Sequence, residues 1–94
     1  MKTRQQKLKE LEQRADKVAQ EVEALDYAIY LVGRKHSEAV SMVRDCPENI
    51  YICEWKREAQ KLAERLTHLN TIREELREEL STLCSFLENV KNEQ

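Results

Sequence analysis

Apolar side chains return along this chain in alternating steps of three and four. Counted from Leu8, the stripe runs Leu8, Leu11, Ala15, Val18, Val22, Leu25, Ile29, Val32, His36, Ala39 and Val43, with His36 as its one polar member. A second stripe starts at Ile52 and continues through Trp55, Ala59, Leu62, Leu66, Leu69, Arg73, Leu76, Leu80, Leu83, Leu87 and Val90, broken only at Arg73. Apolar residues at alternating a and d positions, about 3.5 residues apart on average, mark α-helices that supercoil left-handedly around a partner. Kept up for so long on both sides of one interruption, the pattern predicts two long amphipathic helices.

The interruption is Arg44-Asp45-Cys46-Pro47-Glu48-Asn49. Proline is excluded from a helix interior but suits a first turn, and Asp45 and Glu48 have the spacing of a capping box. These signals predict helix 1 over about residues 3–44, a turn at 45–48 and helix 2 over about 48–90, within a single domain spanning 1–94. A connection this short joins antiparallel neighbours. The expected fold is all-α: an antiparallel coiled-coil hairpin that dimerises into a four-helix bundle, because two strands alone leave the seam half open to water. Gly33 is expected inside a continuous or kinked helix, marking a close backbone approach or a hinge; the alternative is a cap that ends a shorter helix at Val32.

Heptad periodicity allows two pairings one heptad apart. One sets Leu8 against Leu83, His36 against Trp55 and Val18 against Arg73. The other slides the arms and brings Glu21 to Glu79 and Lys35 to Arg65, which repel. The first gives opposite-sign flanking pairs Glu12–Arg77, Arg14–Glu79 and Lys35–Glu58, and charge therefore favours it. Residues 1–17 carry a net +3 and residues 74–94 a net −4, in keeping with arms folded back on each other.

Composition narrows the function classes. Charged residues make up 36% of the chain and aromatics 5%, with one Gly and one Pro, a balance suited to long helix and poor for sheet. The net charge of −2 gives no general attraction to nucleic acid. The basic N-terminal segment (Lys2, Arg4, Lys7, Lys9, Arg14, Lys17) is interspersed with Glu10, Glu12 and Asp16 and lacks an aromatic for base stacking, so nucleic-acid contact is weakly supported. The absence of a membrane-length apolar run or a secretory leader points to a cytoplasmic setting and no membrane partner. There, Cys46, Cys53 and Cys84 are expected as free thiols.

Chemistry has little to work with. His36 and Cys53 are placed on different faces, so no metal site is expected. No serine has a base and an orienting acid beside it, and no Gly-rich loop is present to cradle phosphate. An enzyme is not expected, nor a cofactor. His36, Trp55 and Arg73 read as register-setting residues: His36 a core histidine donating to a neighbour against Trp55, and Arg73 reaching out toward Glu21.

The aromatics carry the functional signal. Tyr27, Tyr30, Tyr51 and Trp55 all fall between residues 27 and 55, the turn-proximal half of the hairpin. Tyr27, Tyr30, Leu31, Ile50 and Tyr51 are apolar positions outside the a/d seam, which is how a protein-binding patch reads. The expected function is a non-catalytic interaction module, an adaptor, chaperone or inhibitor that binds itself, a larger protein, or both. One alternative is an accessory modulator or inhibitor of a nucleic-acid-processing enzyme; another is a purely structural oligomerisation element. In length and shape the rod is similar to small helical secretion chaperones and small phage-encoded inhibitors of host enzymes, a likeness of size and fold that no motif carries.

Overall fold

A computed structural model describes residues 3–92 and contains two helices, α1 (Arg4–Asp45) and α2 (Ile52–Asn92), folded back on each other into a rod of 68 × 19 × 14 Å. Lys2 of the basic segment lies outside the described residues, as do positions 1, 93 and 94. α1 opens with a capping box: the Thr3 hydroxyl accepts from the Gln6 amide at 3.2 Å, and the Thr3 amide donates to Gln6 Oε1 at 2.9 Å. The T-x-x-Q signature was available in the sequence.

The connection is longer than predicted, and α2 begins four residues later. Pro47 does not open the helix. It occupies a turn closed by the Asn49 amide donating to the Cys46 carbonyl at 3.1 Å, and a second turn follows, closed from Ile52 N–H to the Asn49 carbonyl at 3.0 Å. Asp45 and Glu48 form no capping box, because Asp45 is still the last residue of α1 and is held by Arg44 (Nε–Oδ1 2.9 Å). That hydrogen bond keeps the exposed Asp45 carboxyl below its ordinary value. Asn49 instead tightens the connection just before α2, its side chain accepting from the Tyr51 amide at 2.8 Å.

The connection settles the register, and it is the one that charge disfavoured. Leu62 belongs to one buried cluster with both Val32 and Ala39, and Leu83 to another with Ala15 and Val18. Val32 and Ala39 stand about 10 Å apart along one helix, so only a Leu62 lying between them, opposite His36, joins all three. Leu8 is absent from the residues packed around Leu83, and Leu83 sits opposite Ala15. Two cross-seam ion pairs agree, since Glu12–Lys91 at 4.0 Å and Asp26–Arg77 at 3.7 Å are out of reach in the other alignment; of the flanking pairs expected there, Arg14–Glu79 does form, with the two side chains reaching along the rod. The pairings Leu8–Leu83, His36–Trp55 and Val18–Arg73 are therefore replaced by Leu8–Val90, Val43–Trp55 and Leu25–Arg73.

The physical reason is one of magnitudes. An exposed ion pair contributes about 0.2–1 kcal/mol, whereas a one-heptad slip of the arms exposes a full layer of apolar side chains at about 1.5–3 kcal/mol for each large one. A hairpin mirrored at Glu48–Asn49, midway between the helix ends, can reach only the slid register.

The core is thin. Ala15, Val18, Val32, Ala39, Leu62 and Leu83 are buried, while most other seam residues, Trp55 and Leu80 among them, are half-buried. Gly33 lies within uninterrupted helix, and a Cβ built on it meets nothing within 4 Å. It marks neither a close approach nor a break, since the facing arm stays clear of it. Gly33→Ala should therefore gain about 0.5–1 kcal/mol and raise the melting temperature by several degrees. Thermal denaturation followed by circular dichroism measures it, and a lower Tm would contradict the open space seen here.

Candidate functional site

All five residues expected to bind protein are exposed. Tyr27, Tyr30 and Leu31 fall at i, i+3 and i+4 on the outer surface of α1, adjacent on one helical turn. They cannot enter the seam because their heptad positions point away from it, and Tyr27 keeps 64% of its surface accessible. Ile50 and Tyr51 sit in the connection between the helices. The two turns that carry Pro47 and Asn49 push Ile50 outward, to 85% exposure.

The five do not form one continuous patch. From the Tyr27 group, α1 runs on to Asp45 before the connection begins, roughly 21–27 Å at about 1.5 Å per residue. A line of shallow, open depressions joins the two. The first is lined by Ile29, Tyr30, Gly33, Arg34, Ser37 and Glu38; the next shares Ser37 and Glu38 and reaches Met42 and Trp55; the last lies between Tyr51, Glu54 and Trp55. Gly33, Ser37 and Ser41 keep this track low. Arg34 stands over the Tyr30 ring, 6.0 Å from its centre, a cation–π contact that holds the ring against the helix.

Val40 and Phe86 are also exposed and were missed as site residues. Val40 was hidden by its neighbour Ala39, which satisfies the stripe. Phe86 lies at the far end of the rod, flanking the seam.

The register-setting residues behave differently from expectation. His36 does not face Trp55 and makes no hydrogen bond among the described residues; it is half-buried, level with Leu62 in the observed register. Trp55 is half-buried against the Val32–Ala39–Leu62 cluster. Arg73 pairs with Asp26 at 3.1 Å, not with Glu21, because the slid register carries it past Glu21 by about a turn. Its Nε is buried without a hydrogen-bond partner, the cost of seating a guanidinium in an apolar stripe.

No set of three His, Cys, Asp or Glu side chains capable of holding a metal stands together among the described residues, where all three cysteines are free and exposed. No helix there is long and apolar enough to cross a membrane. Comparison with known proteins finds no matching family, curated protein or solved structure.

Because Arg73 leaves one donor unmet, Arg73→Leu should be neutral or stabilising, by up to about 2 kcal/mol. Asp26→Asn should lose less than about 1 kcal/mol. Urea denaturation measures both, and a loss above about 2 kcal/mol for Arg73→Leu would show that the ion pair holds the seam.

Proposed function

We propose that this hairpin is a non-catalytic interaction module that docks a larger protein along its turn-proximal outer surface. The observation that carries this reading is the exposure of Tyr27, Tyr30, Leu31, Ile50 and Tyr51 on a rod whose remaining outer surface is dominated by charged and polar residues. Tyrosine supplies contact area at little entropic cost and brings a hydroxyl for orientation, which suits it to recognition surfaces. The spacing of the two groups fits an elongated partner, one that follows the low track past Gly33 and Ser37 and is anchored at both ends.

The surface favours shape and apolar contact over chemistry. The depressions are open to solvent, with no enclosed space in which an acid or base could be tuned or a transition state desolvated. Adaptor, chaperone and inhibitor all use such a surface, and the identity of the captured protein distinguishes them.

Replacing Tyr27 and Tyr30 together by Ala removes two side chains that support no seam contact. Partner capture from the native host, followed by mass spectrometry, should fall at least tenfold while far-ultraviolet circular dichroism stays unchanged. Undiminished capture by a fully helical double variant would end this reading.

A further inference from the structure

The two flanks of the seam differ in how their charges are met. On the flank bearing Glu12, Asp26, Arg77 and Lys91, opposite charges pair within the hairpin, Glu12 with Lys91 and Asp26 with Arg77. The other flank is identified by the contact between Arg14 and Glu79, both at g positions. There the slid register brings Glu21 level with Glu79, Ala28 with Ile72, and Lys35 with Arg65. Glu79 is taken by Arg14, whereas Glu21, Lys35 and Arg65 carry no ion pair among the described residues. The flank thus reads acidic, apolar, basic, with the half-buried Ala28 and Ile72 at its centre and like charges about 10 Å to either side.

We infer that this flank is the interface with a second copy of the chain, packed antiparallel about a two-fold axis passing between the copies at Ala28 and Ile72. Such an axis reverses direction along the rod and lays α1 on α1 and α2 on α2. Glu21 then meets the second copy's Lys35, its Arg65 comes beside Glu79, which Arg14 already holds, and Ile72 meets Ile72. Pairs that repel within one hairpin become complementary between two. A parallel arrangement, with both turns at one end, sets Glu21 against Glu79 and Lys35 against Arg65 across the interface and is disfavoured by the same charges. The four-helix bundle so formed also covers the half-buried seam and the exposed Phe86. Tyr27 and Tyr30 lie away from this flank, with Leu31 bordering it at i+3 from Ala28, and the inference does not rest on the partner-docking reading.

Sedimentation equilibrium of the full chain, with helicity checked by circular dichroism, tests it. The wild type should run at twice its 11.2 kDa mass. Glu21→Lys alone and Lys35→Glu alone should each weaken self-association by about tenfold or more, since both copies of the contact turn repulsive. Combining the two substitutions in one chain should restore it. In a background with Cys46, Cys53 and Cys84 replaced by Ser, Ala28→Cys should form an intermolecular disulfide and Tyr30→Cys should not. A monomeric wild type, a double variant that associates no better than the singles, or Tyr30→Cys cross-linking in place of Ala28→Cys would each overturn the assignment. Loss of the dimer with capture through Tyr27 and Tyr30 intact would sink this inference alone.

Discussion

The contacts across this molecule depend on where the chain turns. A hairpin has a mirror point, and residues equidistant from it along the two arms face each other. Here the helices end at Asp45 and begin again at Ile52, so the mirror lies between Glu48 and Asn49. Heptad packing permits only registers seven residues apart, and the connection selects between them. From that choice follow Leu62 between Val32 and Ala39, Leu83 against Ala15, and Arg73 beside Asp26. Surface charge has no comparable leverage: it would have set Leu8 on Leu83 and avoided two repulsions, but it did not prevail over the turn.

The helices, their length and their antiparallel course were legible in the sequence because they rest on a repeat sampled more than ten times in each arm. The exposure of the five patch residues was legible for the same reason, since a residue off the a/d stripe of a two-stranded rod has nowhere to hide. The register was not. It rested on one local event, the structure of Cys46–Tyr51, and the Asp45–Glu48 capping signal misplaced that event. Asp45 stays in α1, and Asn49, with its side chain on the Tyr51 amide, shapes the turn that precedes α2. An Asn two residues after a Pro was a signal that could have been weighed. The neighbours of His36 and Arg73 were misassigned with the register.

The faces of this narrow rod, 68 × 19 × 14 Å, differ from one another. One flank pairs opposite charges across the seam, one leaves Glu21, Lys35 and Arg65 unmatched beside the Arg14–Glu79 pair, and the outer surface of α1 carries tyrosines that no seam contact requires. These three behaviours come from one heptad pattern decorated differently at e, g and the outer positions. Gly33 and the small residues that follow it add a low track between the two apolar groups, where larger side chains would have stabilised the helix more.

Disulfide trapping across the seam tests the register most directly. With Cys46, Cys53 and Cys84 replaced by Ser and the protein dilute, cysteines at Val22 and Leu76 should close an intramolecular disulfide readily, and cysteines at Val22 and Leu69 should not. The reverse outcome would place Leu8 on Leu83 after all and remove the basis for the charge pattern on both flanks.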